Sequence, residues 1–460
     1  MSNVHIVVLA AGKGTRMKSS RPKVLHHVAG APMIGYVLDA AAALSPSSVT
    51  VVVGHQASEL KQALGGRPGL SFAVQEPQLG TAHALLTAEP GLASARGTLI
   101  LLSGDVPLLT AGTLERLVAR HTTIGAAATV VTAIVDEPYG YGRIVRLEDR
   151  VERVVEEKDA TADERTIREI NSGIYAFALE GLFDAVRSIA AENAQREYYL
   201  PDLVAIYRAH GREVETVTVT DPDEIRGINS RAELAAVSRI VRDAKTAALM
   251  ASGVTVEDPA TTFIDRHVEI GADTIIHPGV SIQGTTVIGQ GCEIHSGVRI
   301  LDSRINDGVT ILDHCLITDA VLGNGVRVGP FAHLRQSTTL ADGVKIGNFV
   351  EIKKSTVGEG TKAMHLSYLG DAMIGAKVNI GAGTITCNYD GVRKHVTTIE
   401  DGAFIGSDSQ LVAPITVHRD GYVGTGTTVR EDVPSGALAV SAGKQRNIDG
   451  WVEGRKKARG

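Results

Sequence analysis

From about Val254 onward the chain repeats. Ile270, Ile276, Ile282, Ile288, Ile294 and Ile300 stand six residues apart, and Val328, Leu334, Leu340, Ile346 and Ile352 keep the same step. Ile374 and Ile380 resume it, with Ile405 and Leu411 further on. Glycine often comes next, as at Gly271, Gly289, Gly347, Gly375, Gly381 and Gly406. A strict six-residue apolar period fits neither the roughly 3.6-residue turn of a helix nor the alternation of a long strand. It specifies a left-handed parallel β-helix of hexapeptide repeats, in which one aliphatic side chain per repeat points inward and stacks on its neighbours. Such a column needs no aromatic filler. That accounts for a chain with 43% apolar but only 4% aromatic residues, and with 50 glycines for the corners. The period breaks around Lys362 to Ser367 and again around Asn388 to Thr398. Breaks in a solenoid map to loops, often on the binding face.

The first 228 residues have another character. VHIVVLA, SVTVVVG, TLILLSGD and AAATVVTAIV read as buried strands, separated by helical patterns such as MIGYVLDAAAAL and TAHALLTAEPGL. This alternation predicts an open, Rossmann-like α/β sheet with parallel strands. SRAELAAVSRIVRDAKTAALMASG then reads as one helix. Ser230 and Glu233 form its capping box, Gly253 ends it, and Leu234, Val237, Val241, Ala244 and Ala248 form its apolar stripe. The expected organisation is residues 1–228, a helical connector over 229–253, and a β-helix domain over 254–460 with a basic tail.

Lys and Arg total 46 against 52 Asp and Glu, a net charge of −6. That balance disfavours a nucleic-acid groove. The basic GRKKARG end reads as a solvated tail. Cys292, Cys315 and Cys387 lack metal-site spacing and leave an odd cysteine, which suits a reducing compartment. The N-terminus does not read as a signal peptide, and no stretch approaches the ~20 apolar residues of a membrane span. A cytoplasmic chain is expected.

LAAGKGTRM, Leu9 to Met17, follows the first strand. It is neither a Walker loop nor the GxGxxG dinucleotide fingerprint, since Met17 stands where the third glycine would be. It still suits phosphate: glycines let backbone N–H groups approach an anion, and Lys13 and Arg16 supply charge. RPKVLHHVAGAPMI adds Lys23 behind a proline. The pattern LAAGKGTRM…PK resembles the sugar nucleotidyltransferases. The resemblance implies a nucleoside triphosphate held by Leu9, Ala10, Gly12, Lys13, Gly14, Arg16 and Lys23. Gln75, Gly80 and Thr81 would read the uracil. Ser103 and Gly104 would contact the nucleotide, and Asp105 and Asn229 would bind Mg²⁺. Gly142, Glu156 and Asn171 match the family's sugar-contacting positions. Asp105 ends a strand, a usual place for a ligand-facing carboxylate. The implied reaction is attack of a sugar-1-phosphate on the α-phosphate of UTP. Its nucleophile is already ionised and needs no general base; His26 and His27 read as structural.

NFVEIKKSTVGEGTKAMHLSYLGDAMIGAKVNIGAGTITCNYDG, Asn348 to Gly391, carries a second set. A solenoid core has no use for His365 and Tyr368, which the broken period puts in a loop excursion. With the first domain, the chain closely resembles, over nearly its whole length, the bifunctional bacterial N-acetylglucosamine-1-phosphate uridylyltransferase/glucosamine-1-phosphate N-acetyltransferase family. That resemblance implies His365 as the general base that takes a proton from the glucosamine amine as it attacks acetyl-CoA. Arg335 and Lys353 would grip the sugar phosphate, and Tyr368 and Asn379 the sugar. Asn388, Tyr389 and Lys394 would line the acetyl-CoA and sugar site, and Ala382, Ser407 and Thr425 the CoA channel. It also implies a homotrimer with this site between subunits. The chain departs from the family in VSAGKQRNIDGW, where the usual arginine is missing and Lys444 or Arg446 would have to meet the CoA phosphate. A nucleotidyltransferase with a non-catalytic, oligomerising β-helix is the alternative. An acyltransferase with a dead first domain fails on the intact Lys13, Arg16, Lys23 and Asp105.

Overall fold

The computed structural model describes residues 3–54, 56–441, 443, 445, 447–449 and 451–452. The chain divides into two compact units, Met1–Val241 and Arg242–Gly460. The first is built on β1 (Val4–Ala10), a small hairpin of β2 (His27–Val28) and β3 (Ala31–Pro32), β4 (Ser48–Val53), β5 (Leu70–Val74), β6 (Thr98–Ser103), β7 (Ala128–Ile134), β8 (Gly142–Leu147), β9 (Arg150–Val155), β10 (Glu169–Ala178) and β11 (Val214–Thr218). Its helices are α1 (Met33–Ala42), α2 (Ala57–Leu64), α3 (Thr81–Thr87), α4 (Ala111–Ile124), α5 (Leu182–Arg187) and α6 (Asp202–Ala209).

The main sheet runs β11-β7-β10-β6-β1-β4-β5, with β8 against β10 and β9 against β8. β6, β1, β4 and β5 are parallel, as are β7 and β11. β10 is antiparallel to β6, β7 and β8, and β8 to β9. The expected parallel sheet is therefore corrected to a mixed one. A parallel neighbour needs a crossover of about a dozen residues or more, usually a helix. The chain between β7 and β10 instead forms the β8–β9 hairpin. On β1, Ile6 and Val8 join the core on one face and Val7 that on the other. Burial on both faces is why such strands read as unbroken apolar runs. From β1 the chain goes out to β4 and β5, then returns to β6 on the other side. That reversal opens a crevice beyond the carboxyl ends of β1 and β6.

The next helix, α7 (Arg231–Ala251), begins with the expected capping box. Glu233 N donates to Ser230 Oγ at 3.2 Å, and Ser230 N donates to Glu233 Oε2 at 2.9 Å. Leu234, Val237 and Val241 pack on the first unit's core. Ala244 and Ala248, expected to extend the stripe, are exposed; Thr246 and Leu249 are buried instead. Leu249 belongs to the β-helix core, so one helix serves two cores and no single stripe describes it. Gly253, at φ +95°, follows the helix.

The second unit consists of three parallel sheets of 11, 10 and 9 strands, the walls of the β-helix. Ile270, Ile276 and Ile282 enter three different walls. One coil is thus three hexapeptides, and Ile276 pairs with Ile294 eighteen residues on. Some coils drop a residue: Ile294 pairs with Ile311, and Ile346 with Ala363. The fully buried column holds Ile, Val, Leu, Ala and two cysteines, and no aromatic ring. Buried hydroxyls tie the corners. Thr361 Oγ1 donates to Gly375 O at 2.7 Å and accepts from Val378 N at 3.0 Å.

The expected excursion at Lys362 to Ser367 is absent. Lys362–His365 is a regular strand paired with Lys345–Asn348, and Tyr368–Gly370 pairs with Glu351–Lys353. Alanine fills the inward place, and the coil is a residue short; together these hid the repeat. The second break is real: twenty-five residues separate the paired Ile380 and Ile405. The extra residues form a small loop closed by a bridge between Tyr389 and Lys394. Asp390 organises it, accepting from Val392 N at 2.7 Å and Arg393 N at 2.6 Å and pairing with His395 Nε2 at 2.7 Å. All three cysteines are free thiols. Burial raises Cys292 and pushes Cys315 up to about 11.

Candidate active sites

A cleft of about 550 Å³ lies at the carboxyl ends of β1 and β6. Leu9 and Ala10 line it from the end of β1 and Gly12, Lys13, Gly14 and Arg16 from the loop after it, with Lys23 also in the lining. Gln75, Gly80 and Thr81 enter after β5, Ser103 at the end of β6, Asp105 just beyond it, and Asn229 before α7. Gly14, at φ +58°, is required by what lies beneath it: a Cβ there would meet Lys23 Cβ at 2.7 Å. Gly80, at φ +112°, passes so close to Tyr198 that a Cβ would lie 2.6 Å from its carbonyl oxygen. Gln75 is buried, and its Nε2 donates to Gly80 O at 2.9 Å. Gly104 does not line the cleft; its N–H donates to Leu9 O at 2.9 Å and joins the β1 and β6 loops.

Lys23 Nζ donates to Asn229 Oδ1 at 2.7 Å and pairs with Asp105 Oδ2. Ile228 N donates to Asp105 O at 3.0 Å, which holds the Asn229 segment against the β6 loop. Two oxygens from distant parts of the sequence thus converge on one cation. A carboxylate and an amide oxygen are the hard donors that Mg²⁺ takes. The lysine ammonium stands in for such an ion, so the residues present fit it.

Gly142, Glu156 and Asn171 form a separate cluster. Asn171 pairs with Gly142 across β10 and β8, and a Cβ on Gly142 would lie 3.2 Å from Glu156 Oε1. Asn171 Oδ1 accepts from Tyr175 Oη at 2.9 Å and Gly173 N at 3.1 Å. Burial raises the Glu156 carboxyl, and Asp159 and Asp202 add to the shift against the opposing Arg143. Burial likewise raises Asp202, with Asp159 adding to it, and pushes Tyr199 up to about 12. Such a cluster favours hydroxyl-rich, neutral groups over further anions.

On the β-helix, His365 stands exposed at the end of its strand, one coil after Asn348. Its Nδ1 lies 3.2 Å from Asn348 Oδ1. Arg335 Nη1 donates to Glu351 Oε1 at 2.7 Å. Lys394 lowers the Lys353 pKa by hydrogen bonding and by its charge, and Arg335 and Lys354 add to this. Several cations crowded together make a site for an anion. Asn388 Nδ2 reaches Tyr368 Oη at 3.4 Å and hydrogen-bonds Asp371. Tyr389 is exposed and donates to Gly391 O at 2.6 Å. Ala382, Ser407 and Thr425 stack on successive coils: Asp408 N donates to Ala382 O at 2.7 Å and Gly426 N to Ser407 O at 2.8 Å. Asn379 is not beside Tyr368. It lies on another wall, paired with Lys362 and Phe404. Lys444 and Arg446 lie outside the described residues.

Some residues were missed. Gln78 and Glu197 also line the cleft, and Gln78 Nε2 donates to Ala11 O at 2.5 Å. Asn348 sits seventeen residues before His365, and Glu351 seventeen before Tyr368. Coil arithmetic would have found both. Nothing in the sequence distinguished Glu197.

Residues 6–197 match the MobA-like NTP transferase domain, and residues 250–352 match the LbH domain of EIF2B subunit epsilon. The chain is 52% identical over 458 residues to the bifunctional protein GlmU of Pelobacter propionicus, covering 99% of this chain and 100% of that one. It is 50% identical to GlmU of Trichlorobacter lovleyi, covering 97% of each. Against GlmU of Geobacillus sp. strain WCH70 it is 46% identical, over 98% of this chain and 97% of that one.

Proposed function

The chain belongs to the family of bifunctional GlmU proteins, and from that premise we propose how its two sites share the work. It is a bifunctional transferase that makes UDP-N-acetylglucosamine. Acetyl-CoA first acetylates glucosamine-1-phosphate, and the product then takes a uridylyl group from UTP. UDP-N-acetylglucosamine serves peptidoglycan synthesis and the cell wall.

The cleft at β1 and β6 is the uridylyl-transfer site. An oxygen of the sugar phosphate attacks the α-phosphorus, the bond to the β-phosphate oxygen breaks, and pyrophosphate leaves with that electron pair. Lys13, Arg16 and Lys23 neutralise the charge on the phosphates, so catalysis here is positioning and electrostatics. Asp105 and Asn229 would hold Mg²⁺, which supplies further neutralisation when bound. Gln75, Gly80 and Thr81 read the uracil, and Gly142, Glu156 and Asn171 hold the sugar. The raised Glu156 carboxyl supports that role, because surroundings that disfavour charge suit the neutral hydroxyls of a sugar.

The β-helix site carries acetyl transfer. Asn348 Oδ1 can only accept, so His365 Nδ1 carries the proton and Nε2 keeps its lone pair. That tautomer leaves Nε2 to take a proton from the amine as it attacks the thioester. Arg335, Lys353 and Lys394 hold the sugar phosphate; Tyr368 and Asn388 hold the sugar. Ala382, Ser407 and Thr425 form a track for CoA, with Tyr389 at its edge. Asn379, on the strand paired with the one that ends in His365, would contact the sugar, and the chain would act as a homotrimer with this site between subunits. Among the described residues no helix is long and apolar enough to cross a membrane, which accords with a cytoplasmic enzyme.

The observation that carries this reading is the meeting of Lys23, Asp105 and Asn229, 206 residues apart in sequence at the extremes, in one cleft with Lys13 and Arg16. The test is a coupled assay on the full chain with glucosamine-1-phosphate, acetyl-CoA, UTP and Mg²⁺. CoA and pyrophosphate are followed separately. Both should appear, and His365→Ala should lose CoA release while still releasing pyrophosphate from N-acetylglucosamine-1-phosphate. Pyrophosphate without CoA from the wild type would reduce the β-helix to a scaffold.

A further inference from the structure

The first coils of the β-helix carry a cluster that neither transferase site uses. His277 and His295 follow the inward Ile276 and Ile294 on adjacent coils. Their rings stack with centroids 4.7 Å apart. The spacing is that of neighbouring strands in a sheet, about 4.8 Å, so the wall itself fixes the two rings. Between them lies one carboxylate oxygen. Glu293 Oε1 is 3.4 Å from His277 Nε2 and 3.3 Å from His295 Nε2. These separations are long for hydrogen bonds, which peak near 2.9 Å. They match another geometry. Zinc binds histidine nitrogen and carboxylate oxygen at about 2.0–2.2 Å in a tetrahedron, whose edge is then about 3.3–3.6 Å.

The outer sides of both rings agree. His277 Nδ1 is 2.9 Å from Glu257 Oε2, and His295 Nδ1 is 3.9 Å from Asp313 Oδ2. A ring whose Nδ1 proton is donated to a carboxylate keeps its Nε2 lone pair free and aimed. That carboxylate–histidine arrangement is how metal-binding imidazoles are oriented. Three ligand atoms from His277, Glu293 and His295 lie within 4.8 Å of one another.

We propose that His277, Glu293 and His295 form a binding site for one borderline transition-metal ion of the Zn²⁺ or Co²⁺ class, clamping two adjacent coils at the start of the β-helix. Two imidazole nitrogens and one carboxylate suit such ions rather than Mg²⁺, which takes oxygen. Glu257 orients His277, and Asp313 stands behind His295. Solvent completes the coordination. The ion takes no part in either transfer; it joins one coil to the next.

The test uses the full chain with excess Mg²⁺ present, so that the oxygen pair Asp105 and Asn229 does not compete. Co²⁺ is titrated and its visible absorption followed, since tetrahedral nitrogen-ligated Co²⁺ absorbs far more strongly than octahedral oxygen-ligated Co²⁺. Wild type should saturate at one equivalent, and Zn²⁺ should bleach the signal. His277→Ala and His295→Ala should each abolish it, and Glu257→Gln should weaken Co²⁺ binding about 10- to 100-fold. Zn²⁺ should raise the Tm of wild type but not of His295→Ala. Absence of a saturable tetrahedral spectrum in wild type, or its persistence in the His277→Ala/His295→Ala double variant, overturns the proposal. Should an alanine variant fail to fold, His295→Gln keeps a polar group of similar reach and must lose the same spectrum.

Discussion

The cleft of the first unit draws its residues from separated stretches of chain, most of them at or just beyond the ends of β1, β5 and β6. The β-helix site draws its residues from neighbouring coils of a repeating wall. In the first unit, position follows from sheet topology: β1 and β6 are neighbours at the point where the strand order reverses, and the loops that follow them border the crevice. In the second, position follows from register: a residue's neighbour is the one seventeen or eighteen places away. A loop-built site can be rewired without disturbing the sheet. A wall-built site moves as a whole if one coil changes length.

The comparison breaks first where each site is cut alone. Lys23→Ala should lower uridylyl transfer by roughly a hundredfold or more, and His365→Ala should lower acetyl transfer by a similar or larger factor. Each should leave the other activity near wild type in the separated assays. Loss of both from either variant would mean the units are not independent.

The cores offer a second contrast. Ile346→Ala in the β-helix and Ile100→Ala in β6 should each cost about 2–5 kcal/mol, since both side chains are fully buried. Hydrogen exchange should separate them. A solenoid coil touches only its neighbours, so Ile346→Ala should expose amides in adjacent coils alone, while Ile100→Ala should loosen the whole sheet.

These contrasts also explain what could be read in advance. The ladder was legible because six-residue spacing belongs to one architecture. That Leu9 to Arg16 would line one cleft was legible because they are contiguous. β10 was not, since EINSGIYAFA is interrupted by Asn171, Ser172 and Gly173, which build a bulge needing Gly173 at φ +76°. Strand direction was not legible either, because apolar runs carry no arrow. His365 was misplaced into a loop excursion: Ala363 in the inward position looked like a missing repeat. Asn348, its partner, was overlooked although coil length alone reaches it.

A smaller effect sharpens the contrast at the cleft. Gly14→Ala should cost about 1–3 kcal/mol locally, from a left-handed φ and contact with Lys23. It should slow uridylyl transfer through Lys23 without touching acetyl transfer. Kinetics at saturating and limiting UTP would check this.

The smallest effects concern pH, and they run in opposite directions. Burial raises Glu156, so its neutral form is favoured on folding. Its contribution is fully present below the unfolded value near 4.5 and fades as pH rises through the folded value. Glu156→Gln should therefore raise Tm more at pH 7 than at pH 4. Asp390 is lowered by the N–H of Arg393, by His395 and by the N–H of Val392. Its contribution is present above the unfolded value near 3.8 and is lost as pH falls toward the folded one. Asp390→Asn should loosen the loop at pH 7 and make little difference in strong acid, as amide exchange at Val392 and Arg393 would report.

Lys23, between Asp105 and Asn229, has an electrical consequence. The carboxylate in the cleft already has a counter-charge that the chain itself carries. Were Asp105 and Asn229 to take a metal ion as proposed, loading the cleft would be ion exchange rather than the filling of a hole. The free energy of that exchange is a difference between two cations' interactions, far smaller than the cost of baring a carboxylate in a half-closed site. The ammonium so exchanged would stay tethered to the chain, in the same cleft as Lys13 and Arg16.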